Sequence, residues 1–267
     1  MKGSRVAVIT GAGSGIGRAL AHACERAGHQ LVLCDRDSAA LEETVGALSA
    51  TADVSAFDIS DREAVHAFAT RVLDEHGPPQ LLIHNAGVAL SQTVANMEYA
   101  DLEWVMNVNF WGMVYGCKAF LEPMLQAGNG TMVFVSSIFG VVGIPTQSAY
   151  NASKFAIRGF AESLREEVGD RMQVLVVCPG GVRTNIIRNG KIRDWPLPVK
   201  TGSDPAQAFE RLARLEPEQA ARAILKAVQG RQKRLILGTD ARMLDCLQRL
   251  FPSSYHQAAR RLTSLLR

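Results

Sequence analysis

No apolar run in this chain approaches the ~20 residues that cross a bilayer as a helix, and no apolar leader precedes its first strand-like segment. A protein of the cytoplasm is the expectation. Disulfide and metal signals are also missing. The five cysteines (Cys24, Cys34, Cys117, Cys178, Cys246) form no C-x-x-C pair and no ligand spacing with the six histidines. Cys34 and Cys178 fall inside apolar runs, as small buried thiols of a reducing compartment do. Charge of one sign is scarce. The formal net charge of +3 is too small for a nucleic-acid surface, so no nucleic-acid partner is expected. Internal repeats and low-complexity blocks are absent, and no segment has the composition of a disordered region.

What the chain does have is apolar content, 47% over 267 residues, enough for a large core in one α/β unit. Short β-branched runs recur at residues 6–10, 30–34, 52–57, 81–84, 131–136, 174–178 and 235–237. Segments 18–27, 39–48, 62–75, 155–168 and 218–228 carry helical periodicity between them. Near-continuous apolar strands alternating with helices point to a parallel sheet covered on both faces. Right-handed crossovers then make it a doubly wound, Rossmann-type sheet of about seven strands. No interdomain linker is visible, so residues 1–267 read as a single domain.

Two segments stand apart. Residues 186–204 lack either periodicity and contain Trp195-Pro196-Leu197-Pro198, so a substrate loop or lid is expected over 186–215. The excess basicity sits at the end, where residues 240–267 hold five arginines against two aspartates. Met243, Leu244, Leu247 and Leu250 recur at helical spacing there, followed by Phe251 and a basic, leucine-bearing stretch at 260–267. A basic amphipathic extension of this kind ordinarily docks on its own domain or on a sister subunit. Lying on an anionic membrane surface is the rarer use.

The first strand runs into Thr10-Gly11-Ala12-Gly13-Ser14-Gly15-Ile16-Gly17 and then a helix. Glycines let a backbone turn sharply and approach a pyrophosphate, while the helix start offers unpaired N–H groups and a partial positive charge. The spacing is not G-x-G-x-x-G, because Ile16 occupies the place of the last glycine; it is T-G-x-x-x-G-x-G.

A second constellation lies downstream. Tyr150 and Lys154 in Tyr150-Asn151-Ala152-Ser153-Lys154 are four apart and share one helix face. A free phenol titrates near ~10 and is a poor base at neutral pH, and a neighbouring ammonium lowers that value. Tyr150 is thus a candidate general acid/base for a hydroxyl or carbonyl oxygen. Ser137 precedes it by 13 residues, at the end of the fifth strand, where open α/β sheets bind ligands. Its hydroxyl can hold a substrate oxygen as charge develops. Strand alternation turns Ser136 to the other side.

Together the T-G-x-x-x-G-x-G turn and the Ser137, Tyr150 and Lys154 spacing resemble the short-chain dehydrogenase/reductase family, and the resemblance spans roughly residues 5 to 240. It implies a nicotinamide dinucleotide held by Gly11, Ser14, Gly15, Ile16 and Gly17, by Asn85, Ala86 and Gly87 after the fourth strand, and by Tyr150 and Lys154, the lysine holding the nicotinamide ribose. Asp35, ending the second strand, would accept hydrogen bonds from the adenosine ribose and repel a 2′-phosphate, whereas Arg36 beside it would welcome one; NAD(H) is favoured, with NADP(H) the alternative. Asp58 and Ile59 resemble the family's adenine-contacting pair, loop capping being the competing role of Asp58. His84-Asn85-Ala86-Gly87 corresponds to the family's N-N-A-G, with His84 replacing the first Asn in a structural, hydrogen-bonding role. Val108-Asn109-Phe110-Trp111-Gly112 resembles V-N-x-x-G, and only the spacing to Gly112 selects Asn109 over Asn107. By resemblance Asn109 positions a water and the lysine in a proton relay. Pro179-Gly180-Gly181-Val182-Arg183-Thr184 resembles P-G-x-V-x-T, so Pro179, Gly180, Val182 and Thr184 would border the nicotinamide and diphosphate.

The family reading implies an oxidoreductase that interconverts a secondary alcohol and a ketone, with Asn109, Ser137, Tyr150 and Lys154 catalytic and no metal. The apolar stretch after Ser137 favours a medium-sized hydrophobic substrate. By resemblance the chain would assemble as a homodimer or homotetramer through the helices around Cys117 and Tyr150. The competing readings are a non-catalytic dinucleotide-binding sensor or scaffold, and a membrane-surface dehydrogenase of the lipid, retinoid or steroid type.

Overall fold

The computed structural model describes residues 5–194 and 213–257. Seven parallel strands form the main sheet: β1 (Arg5–Thr10), β2 (His29–Asp35), β3 (Asp53–Ala56), β4 (Leu81–His84), β6 (Thr131–Val135), β7 (Gln173–Pro179) and β9 (Arg234–Leu237). Their order is β3-β2-β1-β4-β6-β7-β9. The chain therefore moves outward from β1 to β3, returns to β4 beside β1, and moves outward the other way. Connections diverge beyond the carboxyl ends of β1 and β4, and a crevice opens there.

Strand alternation sorts the core into two layers. Val6 and Val8 of β1, Leu82 of β4, Met132 and Phe134 of β6, and Val174 and Val176 of β7 face one side. There they meet helices α3 (Arg62–His76), α5 (Gly112–Ala127) and α6 (Ser148–Val168). Ala7, Ile9, Leu81, Ile83, Val133, Val135, Leu175 and Val177 face α1 (Gly15–Arg26), α2 (Ser38–Gly46) and α7 (Pro217–Gln229) on the other side. Period-two alternation with both faces apolar is what a doubly covered parallel sheet requires.

Helix starts follow local chemistry where a cap exists. Asp61 accepts the N–H groups of Glu63 and Ala64 to open α3, and Asp37 accepts that of Ala40 at α2. Pro217 opens α7. Helix α6 has no capping side chain at Gln147 and begins at Ser148, seven residues before the periodicity suggests. Tyr150 and Lys154 thus both lie in its first two turns.

Two features escape the sequence pattern, and a third element follows the helical spacing read at residues 243–250. A two-residue strand β5 (Leu90–Ser91) pairs with β8 (Lys191–Ile192). Helix α4 (Tyr99–Met106) passes through a π-helical turn at Asn107–Trp111 into α5. Finally, α8 (Thr239–Leu250) follows β9 directly. Its Ala241 and Leu244, with Tyr255 beyond, pack on the domain core, whereas Met243, Leu250 and Phe251 are exposed. The second half of the tail (258–267) and most of the expected lid (195–212) lie outside the described residues. Among the described helices none is long and apolar enough to cross a membrane. Cys24, Cys34, Cys117 and Cys178 are buried free thiols, while Cys246 is exposed on α8.

Candidate active site

The glycine turn is built as a cradle. Gly11 (φ +67°) and Gly15 (φ +52°) take the left-handed conformation that side chains resist. At Gly17 a Cβ would collide with the Gly11 carbonyl and stand 2.6 Å from Asn85 Nδ2, so only glycine fits there. Asn85 Nδ2 donates to the carbonyls of Thr10 (3.0 Å) and Gly11 (3.1 Å), and Thr10 Oγ1 accepts the N–H groups of Asn85 and Ala86. This lacing stitches the end of β1 to the end of β4 across the crevice. Beneath the turn, Arg18 Nε donates to the Gly13 carbonyl and to Thr44 Oγ1. Ser14, the N-cap of α1, makes no side-chain cap bond, which leaves the first-turn N–H groups for an anion.

Asp35 Oδ2 accepts the Gly13 N–H at 2.9 Å, so the carboxylate lies against the turn. Arg36 is exposed beside it. Asp58 accepts both the N–H (2.8 Å) and the Oγ–H (2.7 Å) of Ser60, so loop capping is present at this residue. Ile59 packs on Gly112, where a Cβ would come within 2.7 Å of the Ile59 carbonyl oxygen. Thr184 closes over Gly15, its Cγ2 being 2.9 Å from where a Cβ would stand.

The titratable groups converge at the ends of β6 and α6. The Ser137 hydroxyl accepts the Phe139 N–H at 3.1 Å and borders the same cavity as Tyr150. Burial pushes the Tyr150 phenol up to about 12, and the Ser137 hydroxyl pulls against that rise. Lys154 is fully enclosed as well, and loss of hydration pushes its ammonium down to about 8. Its Nζ donates to the Val135 carbonyl (3.2 Å) and lies 5.6 Å from the Tyr150 ring centre. The phenol is raised rather than lowered, because its burial is the largest influence on it. Ser136 points away, as alternation requires, and donates to the Lys154 carbonyl at 2.7 Å.

Behind this group stands Asn109, in the π-helical turn and 1% exposed. Its Oδ1 accepts the Val88 N–H (2.8 Å), and its Nδ2 donates to the Val88 carbonyl (3.1 Å) and to Ser153 Oγ (3.0 Å). Gly87 leaves the necessary room, since a Cβ there would stand 3.2 Å from Asn109 Oδ1 and 3.3 Å from Lys154 Nζ. His84 is buried and stacks on Phe134, with ring centres 5.0 Å apart. Its Nε2 has no hydrogen-bond partner and burial pushes the ring down to about 3, so it packs as a neutral ring. The hydrogen-bonding part of the sequence reading is corrected there.

One cavity of about 410 Å³ joins these parts. Every cofactor residue expected from the sequence except Gly17 borders it, and so do Ser137, Tyr150 and Lys154; Gly17 and Asn109 stand behind its wall.

A family model for short chain dehydrogenases matches residues 5–194. The chain belongs to the short-chain dehydrogenase/reductase family. This oxidoreductase is 42% identical over 263 residues to SadH of Mycobacterium tuberculosis, a protein carrying an oxidoreductase name, covering 95% of this chain and 93% of the relative. It is 36% identical to dehydrogenase/reductase SDR family member 7B of Xenopus tropicalis, over 87% of this chain and 76% of the relative. Among solved structures, a short-chain dehydrogenase/reductase from Burkholderia phymatum in complex with NAD superposes with a TM-score of 0.77 at 31% identity, covering 87% and 88% of the two chains.

The residues of this oxidoreductase fit a dinucleotide: three glycine positions exclude a Cβ, an uncapped helix start faces the crevice, and a carboxylate ends β2. Several further residues border the cavity without a motif to announce them. Asp240, in the first turn of α8, accepts the Gly181 N–H at 2.9 Å and fixes the Pro179–Thr184 segment. Leu244 arrives from the same helix, Ile186 from the loop after β7, and Gln147 from the start of α6. Only the topology brings them together, because they are drawn from segments far apart in sequence.

Proposed function

We propose that this dehydrogenase interconverts a secondary alcohol and a ketone of medium size and largely apolar body, with NAD(H) as its preferred dinucleotide. The observation that carries the reading is that Ser137, Tyr150 and Lys154 border the same cavity as the glycine cradle, with Lys154 Nζ 5.6 Å from the Tyr150 ring centre.

Residues 11–17 would hold a nicotinamide dinucleotide, which would supply the acceptor or donor of hydride. The protein's own groups handle the proton and the oxygen. In reduction Tyr150, a neutral phenol at neutral pH, gives its proton to the carbonyl oxygen while Ser137 holds that oxygen. In oxidation the same path runs backwards. Lys154 provides positive charge beneath the phenol, and Asn109 keeps the Val88 peptide and Ser153 in place behind it. Asp35 accepts hydrogen bonds from ribose hydroxyls at the far end and disfavours a 2′-phosphate, which supports NAD(H) over NADP(H). At the substrate end Ile138, Phe139, Ile186, Ile187 and Leu244 supply apolar wall, which favours a hydrophobic substrate.

Trp111 and Phe155, 44% and 38% exposed, lie on the π-helical turn leading into α5 and on α6. A homodimer or homotetramer would cover them, and sedimentation velocity measures it. Fluorescence titration with NADH and NADPH, followed by a screen of secondary alcohols and ketones, tests the function. Tighter NADH binding with turnover is expected; tight binding without turnover across the panel would favour a sensor.

A further inference from the structure

The substrate end of the cavity contains one polar side chain whose orientation is dictated by its neighbours. Gln147 is 7% exposed, borders the cavity and stands one helical turn before Tyr150. Its Nε2 donates to Ser91 Oγ at 2.7 Å. Ser91 fixes which way round this amide lies. A hydroxyl has one proton to give, and Ser91 gives it to the Asp194 carbonyl. Toward Gln147 it can only accept, so the NH₂ must face Ser91 and the amide oxygen must face elsewhere. Thr146 Oγ1, 3.2 Å from Ser91 Oγ, occupies the second accepting position. No hydrogen bond to Gln147 Oε1 is present among the described residues.

The relay is itself anchored. Asp194 accepts the Thr93 N–H (2.6 Å) and an Asn96 Nδ2 proton (3.1 Å) through its carboxylate. Two residues back, β8 pairs with β5, and Lys191 Nζ reaches the buried Asp101 carboxylate at 2.7 Å, which also accepts from Gln92 Nε2 at 2.8 Å. The segment holding Ser91 is therefore tied down on both sides. With its direction fixed by Ser91 and no protein donor on it, the amide oxygen is left free to accept a hydrogen bond from a ligand that enters the cavity.

We propose that Gln147 determines substrate specificity: its fixed amide oxygen accepts a hydrogen bond from a hydroxyl or N–H group on an otherwise apolar substrate, near the carbon that reacts. The preferred substrates are thus hydroxyl- or amino-bearing alcohols and ketones rather than plain hydrocarbon ones. The assignment rests on the reaction proposed above only for its placing beside Tyr150, and its test reads binding.

The probes are 1-indanol and cis- and trans-1,2-indanediol, titrated calorimetrically into the dehydrogenase saturated with NADH, where an alcohol cannot react. Wild type should bind one diol about 3- to 10-fold tighter than the mono-alcohol, the contribution of one hydrogen bond. Gln147→Leu should abolish that preference by weakening the diol alone. Ser91→Ala, which frees the amide to turn, should reduce it while leaving NADH affinity unchanged. Equal affinity for all three probes in wild type, binding of none of them, or a preference that survives Gln147→Leu would each overturn the proposal. A preference lost in Gln147→Leu but with no turnover of any probe by wild type on NAD or NADP would overturn the reaction and leave the assignment of Gln147 standing.

Discussion

Asn109 satisfies both backbone groups of Val88 at once, accepting its N–H at 2.8 Å and donating to its carbonyl at 3.1 Å. A side-chain amide is the one group of that size that presents an acceptor and a donor side by side. Asn109→Leu leaves a buried N–H and a buried carbonyl without partners, at about 1–3 kcal/mol each. Asn109→Asp turns an acceptor on the Val88 carbonyl in place of the donor. Both variants should melt earlier than wild type in urea, and turnover should fall with them. Unchanged urea midpoints would show that Val88 finds other partners.

Asp35 touches the glycine turn through Gly13, so its removal acts on the cradle as well as on the ribose. Asp35→Ser should weaken NADH by about tenfold or more and narrow or reverse the preference over NADPH, with Arg36 then facing the 2′-phosphate. Parallel fluorescence titrations check this. A preference that stays put would mean that Asp35 does not select the dinucleotide.

The two enclosed titratable groups make the pH profile directional. Tyr150, pushed up to about 12, keeps its proton throughout the working range. Lys154, pushed down to about 8, is charged below that pH and neutral above it. The kcat/KM for ketone reduction should be level below pH ~8 and decline above it as the ammonium is lost. A reduction rate that climbs between pH ~8 and ~10 would contradict the role given to Lys154.

His84 predicts an acid limb in stability. Its folded value, about 3, lies below the value near 6.5 of an exposed imidazole. The unfolded chain therefore takes up a proton that the native state refuses. Stability should fall as pH drops from about 6.5 towards 3, by up to about 1.4 kcal/mol per pH unit from this residue. His84→Asn should flatten that slope in urea melts between pH 4 and 6.5, approximately, and leave turnover within a few-fold.

Much of this was legible from residue order. The central strands announce themselves because they are apolar on both faces, and the glycine turn because it sits between a strand and a helix. Residue spacing also selected Ser137, Tyr150 and Lys154, which the fold brings to one cavity. What the pattern hid has physical reasons. Helix α6 starts without a capping side chain, so its apolar periodicity shows only from residue 155, although the Tyr150–Lys154 spacing already reads as helical. The π-helical turn around Asn109 depends on packing against Val88 and Ser153, which are distant in sequence. Two-residue strands such as β5 and β8 are too short for any periodicity, yet they orient Gln147. The phenol was expected to be lowered by Lys154, but the depth of burial that reverses this is a tertiary property. The alternation that turned Ser136 away from Ser137, by contrast, needs only strand geometry.

Tyr150→Phe removes one hydroxyl and leaves the ring packed on Phe139, so it isolates the proton step from binding. Steady-state turnover, measured beside NADH affinity on the same preparation, should fall by at least about 100-fold while the affinity stays within about twofold. Turnover close to that of wild type would contradict the assignment of Tyr150 as the acid/base, and with it the reaction proposed for this site.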